Sequence, residues 1–462
     1  MPTAVTPPAA PGLDALADLP GGHLRPGDAG YDEARQVANA AIDRRPVAIA
    51  RPIDTAGVAR VVRLARDAGL PLAVRGGGHS AAGHGAGLGD GALVVDLSAM
   101  KKIEVDPVRR VATAEGGVLA GEYVKATFAH GLTTPLGDTP TVGLGGLVLG
   151  GGMGYLARKH GLAIDHLRAV EIVLADGSIV RASADEHPDL FWAIRGGGGS
   201  FGIVTRFELG LVPIGTILGG VMILPATRDV LRAHVPIAAS APADLGTIAS
   251  IMAAPPLPFV PAEKHGTLAL LSMVAYDGDP AEGRVALEPY RAVATPIAEV
   301  LSEMPYPAIF EMGGPEGRTG FVTRSFYLPA LDDAAIDTIL DFMGRRTSPM
   351  AMVQLRVLGG AVSRVANDAT AYAFRDRQLA VVIIVPFADP AEAAAHAAWA
   401  DGLLAALRPA ATGVYSNFLD DEGPARVREA YPGLTWHRLA DVKRRYDPAN
   451  LFRSNQNIVP AD

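Results

Sequence analysis

The chain has 462 residues, too many for one ordinary core, so two or three packed units are expected. With 49% hydrophobic and 19% charged residues, and no apolar run near the ~20 residues that cross a bilayer, it reads as a globular protein that does not span a membrane. A net charge of -8 without blocks of like charge excludes nucleic acid and anionic membranes as partners, and zero cysteines exclude disulfides, thiolate metal sites and a cysteine nucleophile.

Residues 1–20 read as a loose tail with no basic and apolar export segment, so a cytoplasmic location is expected. The stretch "DTAGVARVVRLARDAGLP" spaces Val58, Val61, Val62 and Ala65 as a helix, with Asp54 or Thr55 as N-cap and Gly69 as stop. Strands follow in "LAVRG" and "ALVVDLS", then a hairpin of "KIEVD" and "RVATAE" around Asp106-Pro107. "VEIVLADGSIVRAS" places Asp176-Gly177 between alternating runs, a second hairpin. "DLFWAIR" reads as helix and "FGIVTRFELGLV" as strand, completing a mixed α+β unit over residues 21–213. From about Ile214 the runs "TLALLSMVAY", "AMVQLRVLGG" and "LAVVIIVPF", separated by helical stretches, predict an antiparallel sheet with helices over one face, to about residue 410. Residues 411–462 form a last segment with a Pro448 stop and a polar tail.

The 53 glycines gather at 76–91, 143–154 and 196–202. A G-x-G-x-x-G at Gly197 to Gly202 lacks the strand before and helix after that a Rossmann site needs. Glycine-rich connections still expose backbone N–H groups and permit positive φ, so three converging clusters suit a diphosphate and a flat ring system. His79 stands at the mouth of the first, in "VRGGGHSAAGHGAG", as a metal ligand, a catalytic base or an attachment point. Only His84 is near it as a second metal ligand, with no carboxylate at ligand spacing, and no metal is expected.

Five stretches, in order, carry a family resemblance: "VRGGGHS" (74–80), "GDTPTVGLGGLVLGGGMGYLARKHGLAIDHL" (137–167), "ADEHPDLFWAIRGGGGSFGIVT" (184–205), "VYSNF" (414–418) and "YDPANLFRSNQNI" (446–458). Over essentially the whole chain the sequence resembles the berberine bridge enzyme-like FAD-linked oxidases of the vanillyl-alcohol oxidase superfamily, in particular their bacterial members that tailor secondary metabolites. The resemblance implies an α+β, two-lobed, PCMH-type FAD-binding domain (21–213), completed by the C-terminal segment (411–462). A substrate domain (214–410) would roof the flavin with a large antiparallel sheet covered by helices. It implies that His79 bonds covalently to the flavin 8α-methyl. FAD would lie against Arg75, Gly76, Gly77, Gly78, His79, Ser80, Gly83, His84, Gly137, Asp138, Thr139, Gly143, Gly145, Gly146, Gly150, Gly151, Gly154, Gly199, Gly202, Ile203, Val204, Asn417, Asn455 and Asn457.

Two positions depart from the family pattern. Thr139 stands where many relatives carry a cysteine bonded to flavin C6, so no 6-S-cysteinyl bond can form and a single histidyl link is expected. Phe418 stands where sugar-oxidising relatives carry a tyrosine base. Thr139, Tyr415, Asn417, Gln354 and Arg356 are the catalytic candidates; Tyr327, Glu311, Arg324 and Tyr372 are further polar candidates for the roof. Arg356, cationic at neutral pH, would bind an anionic or enolate oxygen. The expected activity is oxidation of an alcohol or similar C–H of a small organic substrate, with dioxygen as acceptor and hydrogen peroxide as product, by a monomer or homodimer. A dehydrogenase of the same fold and a flavin carrier without turnover are the alternatives.

Overall fold

The computed structural model describes residues 12–312 and 318–462. Three sheets organise it. The first joins His23–Leu24, Ala48–Ala50, Leu93–Asp96 and Leu72–Arg75 in that order, the last three parallel. The helix Thr55–Asp67 covers it, capped by Asp54, whose Oδ1 accepts from the Gly57 N–H at 2.7 Å, and its apolar stripe packs on Leu72, Leu93 and Val95. The second sheet runs Ile103–Asp106, Val111–Glu115, Ile203–Gly210, Leu167–Val173, Ile179–Ser183, entirely antiparallel. Both predicted hairpins are there, with Gly177 at φ 81° in the tight turn of the second.

The third sheet has seven antiparallel strands, ordered Ala298–Pro305, Thr216–Pro225, Leu268–Tyr276, Leu245–Ala253, Met352–Val357, Leu379–Phe387, Gly320–Leu328. Alternation splits its faces. Val353, Leu355 and Val357 join a core with the covering helices Arg228–Ser240, Asp333–Gly344 and Ala393–Leu407, which leaves Gln354 and Arg356 on the opposite face. The α+β architecture with a helix-covered antiparallel sheet is therefore as expected. The C-terminal helices Pro424–Ala430 and Leu434–Tyr446 return to the first lobe, where Val427, Leu439 and Val442 join a core with Phe191, Trp192 and Phe201.

The N-terminal reading needs correction. Residues 1–11 lie outside the described residues, but from residue 12 the chain is no loose tail: Leu13, Leu16 and Leu19 are buried against the first sheet and its helix. Among the described residues no helix is long and apolar enough to cross a membrane.

His234 sits in the core of the covering layer, 1% exposed, tilted against the Tyr290 ring at 5.7 Å, with neither ring nitrogen hydrogen-bonded to the described residues. Burial depresses its pKa from 6.5 to about 4. A histidine held neutral in the fold takes up its proton more readily unfolded, so its stabilising effect is complete above the unfolded pKa and is lost as pH falls toward the folded one. Stability is expected to fall between pH 6.5 and about 4. Each such histidine contributes a slope of up to about 1.4 kcal/mol per pH unit. Denaturant titrations across this range should show a shallower slope for His234→Leu; an unchanged slope would contradict the assignment.

Candidate functional site

The loop after Leu72–Arg75 turns through Gly76, Gly77 and Gly78 to His79. A Cβ on Gly77 would lie 2.2 Å from the Gly143 nitrogen, so this loop and the second glycine cluster touch through bare backbone. The N–H groups of Gly77, Gly78, His79 and Ser80 donate to no acceptor among the described residues, and the same holds for Gly199 and Ser200. Asn39 ties the loop to the roof: its Nδ2 donates to the carbonyls of Ala81 and Phe321, each at 3.0 Å, and its Oδ1 accepts from the Phe321 N–H at 3.2 Å.

These loops enclose a cavity of about 410 Å³. Its wall includes His79, Ser80, His84, Asp138, Thr139, Tyr415 and Asn417, glycines 76–78, 137, 143, 145, 146, 199 and 202, and Ile203, Val204 and Asn455. Among the described residues its wall carries no lysine or arginine, so an anion here meets backbone N–H groups. Gly146, Gly198 and Gly199 have open space where a Cβ would stand. Unpaired N–H donors beside bare glycine surface fit the diphosphate and flat rings of FAD.

The His79 imidazole is half-buried on this wall and makes no hydrogen bond to the described residues; burial lowers its pKa, leaving it neutral with a free nitrogen lone pair. His84 bonds the Ser80 hydroxyl through Nδ1 at 3.2 Å, and burial pushes its pKa down to about 4. Tyr415 is buried; its Oη accepts from the Gly152 N–H at 2.8 Å and from Asn417 Nδ2 at 3.1 Å, and burial raises its pKa to about 12. Asn417 also donates to the Leu147 carbonyl at 3.2 Å, tying "VYSNF" to the helix Leu144–Gly150.

Arg356 does not reach for a ligand. Its Nη2 meets Asp138 Oδ2 at 2.6 Å, Nη1 donates to the Met153 carbonyl at 3.0 Å, and Nε donates to Gln354 Oε1 at 2.8 Å. Both side chains of the roof strand are thus committed, and neither lies on the cavity wall. The remaining roof candidates also fall outside it. Tyr327 and Tyr372 bond each other at 2.7 Å in a buried pair, Arg324 pairs with Asp401 at 2.6 Å, and Glu311 is exposed.

Six residues expected to touch FAD stand behind the wall instead. Arg75 is an anchor, paired with Asp96 at 2.7 Å and bonded to the Ala34 carbonyl. Gly83 packs on Ile42, and Gly154 lies against the Leu136 carbonyl. Gly150 and Gly151 make room for Asn417 and Tyr415, and Asn457 buries an Oδ1 without a partner. A Cβ on Gly150 would sit 2.0 Å from Asn417 Oδ1. Gly150→Ala is expected to cost more than the ~1–3 kcal/mol of ordinary overpacking and to lower FAD content, read by thermal unfolding and flavin absorbance. Sequence reasoning missed Phe321 and Thr323, which roof the cavity, and Phe452, Ser454 and Gln456, which close its far end.

Two sequence families match this chain: an FAD binding domain over residues 46–183, and berberine and berberine like over residues 414–459. An uncharacterized FAD-linked oxidoreductase of Bacillus subtilis is 33% identical over 442 residues, 94% of this chain and 95% of the relative. The chain belongs to the berberine bridge enzyme-like FAD-linked oxidoreductases. A second member, (R)-6-hydroxynicotine oxidase of Paenarthrobacter nicotinovorans, is 30% identical over 95% of this chain and 96% of its own. The crystal structure of 6-hydroxy-D-nicotine oxidase from Arthrobacter nicotinovorans superposes with a TM-score of 0.85 at 27% identity, covering 96% of this chain and 98% of that one. Glucooligosaccharide oxidase from Acremonium strictum, described with a 6-S-cysteinyl, 8α-N1-histidyl FAD, gives a TM-score of 0.86 at 27% identity, covering 97% of this chain and 99% of that one. This FAD-linked oxidoreductase is an enzyme of the same fold, and its cofactor is FAD.

Proposed function

We propose that this oxidoreductase is an oxidase whose FAD is held by one covalent bond, from the His79 imidazole to the 8α-methyl, with dioxygen as electron acceptor. The observation that carries the attachment is the His79 ring itself: neutral, without a hydrogen bond to the described residues, and within the run of unpaired N–H groups 77–80 on the cavity wall. Thr139 lines the same cavity in the place of the second tether, and its hydroxyl donates to Asp138 Oδ1 at 3.2 Å. When bound, FAD supplies the hydride acceptor and passes the electron pair to dioxygen. The unpaired N–H groups of residues 77–80 and 199–200 would hold the diphosphate, Asn417 and Tyr415 would stand beside the ring system, and Phe321 and Thr323 would cover it.

The substrate end supports a small, flat, partly apolar molecule. Phe418 packs edge-on against Tyr415 at 4.8 Å and under the Arg356 guanidinium at 5.0 Å, a surface for stacking where a sugar-binding site needs polar partners. Relatives include oxidases named for 6-hydroxynicotine and for xylooligosaccharides. The reading favours an aromatic or polyketide-like alcohol of bacterial secondary metabolism. Anaerobic mixing with 6-hydroxynicotine, xylobiose and a series of benzylic and allylic alcohols should bleach the flavin with an aromatic alcohol, and air should restore the colour at once. Slow re-oxidation would replace the oxidase by a dehydrogenase, and bleaching by xylobiose alone would overturn the substrate class.

A further inference from the structure

With tyrosine absent from position 418, the proton of a substrate hydroxyl needs another acceptor. Tyr415 is unsuited, because two donors already occupy its oxygen and its own proton is held up to a pKa of about 12. Gln354 accepts from Arg356 and lies off the wall, as does Arg356 itself. His84 is bonded to Ser80, and His79 is the tether of the proposed function. Among the described residues one carboxylate lines the cavity, and it is Asp138.

Asp138 is built as a fixed acceptor. Oδ2 is gripped by Arg356 from the roof strand, 218 residues away in sequence, at 2.6 Å, and Oδ1 accepts from Thr139 at 3.2 Å. Each carboxylate oxygen keeps a second lone pair for a ligand. Arg356, 6% exposed, is itself locked by Met153 and Gln354, so the pair is a rigid bridge between cofactor lobe and roof. The other titratable groups near Asp138 are Tyr155, Tyr306 and Tyr415, three phenols whose pKa values burial raises, so that they stay neutral.

We infer that Asp138 is the catalytic proton acceptor and Arg356 the positioning residue that holds its carboxylate aimed into the cavity. The inference rests on the FAD-oxidase reading. As the C–H electron pair of the substrate leaves with its hydrogen for the cofactor, the hydroxyl proton passes to the Asp138 carboxylate and the C–O bond becomes a carbonyl. The substrate thus loses one hydride and one proton, and the carboxylate releases that proton to solvent before the next turnover.

The test compares wild type with Asp138→Asn in two ways. In stopped flow with the aromatic alcohol that bleaches the wild-type flavin, the variant should reduce its flavin about 10²–10⁴-fold more slowly, with covalent flavin content and air re-oxidation after dithionite unchanged. Without turnover, fluorine NMR follows the ionisation of bound pentafluorophenol. The wild-type carboxylate should keep the phenol neutral, and loss of that charge beside Arg356 should lower its apparent pKa by about one to three units in the variant. If Asp138→Asn does not fold, Arg356→Met gives the converse: without the guanidinium, the carboxylate should keep the phenol neutral to higher pH. Wild-type bleaching in Asp138→Asn, or phenol ionisation indifferent to both variants, would overturn the inference. Failure of the oxidase reading shows separately, as slow air re-oxidation of the wild type, and leaves the NMR comparison valid.

Discussion

Lys443→Met is expected to destabilise the protein by about 3–5 kcal/mol, the cost of leaving one member of a buried ion pair without the other. Lys443, in the last turn of the helix Leu434–Tyr446, and Asp447, its C-cap, are both 0% exposed and meet at 2.6 Å. The same ammonium donates to the carbonyls of Ser200 at 2.6 Å and Phe452 at 3.0 Å, so one side chain joins the third glycine cluster to the C-terminal segment. Asp447 in turn accepts from the N–H groups of Leu451 at 2.8 Å and Phe452 at 2.9 Å. Ser200 and Phe452 both line the cavity, so the variant should loosen the FAD site as well as the fold. Urea unfolding should give the loss in stability, and the double variant Lys443→Met/Asp447→Asn should recover part of it, because the amide oxygen still accepts while the unpaired charge is gone. A single variant within about 1 kcal/mol of wild type would show that the pair does not organise this junction.

The second large effect is His79→Ala. The variant keeps the unpaired N–H groups of Gly77, Gly78 and Ser80, so FAD still binds, but the other imidazole on the wall, His84, is held by the Ser80 hydroxyl at 3.2 Å and is not expected to take over as a tether. Thr139 offers only a hydroxyl, already donated to Asp138. The retained flavin after denaturation should fall from about one per chain to none, while native protein remains partly yellow. His79→Ala is also expected to refold after urea with little change in midpoint, because the wild-type ring makes no hydrogen bond to the described residues and stands half-exposed at the cavity wall.

Much of this was legible in the chain, because local rules govern it. The Asp54 cap, the Asp176-Gly177 turn and the glycine loop ending in His79 are short-range features: the cap and the turn form as their residues predict, and the loop lines the cavity. The helix Leu144–Gly150 was not legible: "LGGLVLG" has poor helix propensity, and the helix forms because Leu144, Leu147, Val148 and Leu149 are buried in the first lobe. The strand Thr216–Pro225 hid for the same reason, its Gly219-Gly220 reading as a break although Gly220 is bare to let the Val300 carbonyl approach. Long-range partners were least legible of all. Nothing around Gln354 and Arg356 shows that Asp138 waits across the lobes, and no pattern in "ADVKRRYDPAN" separates the buried Lys443 from the exposed arginines beside it. Residues assigned to FAD by motif alone, such as Arg75 and Gly150, proved to hold the neighbours of the cavity wall in place.

The central claim is that His79 is the single covalent anchor of the flavin. Intact mass measurement of acid-denatured wild type and His79→Ala, with peptide mapping of the wild type, tests it most directly. The wild type should carry the added mass of one FAD, located on the peptide containing His79, and the variant should have the mass of the bare chain. An unmodified wild type, a flavin peptide elsewhere in the sequence, or a His79→Ala chain that still carries FAD would contradict the claim.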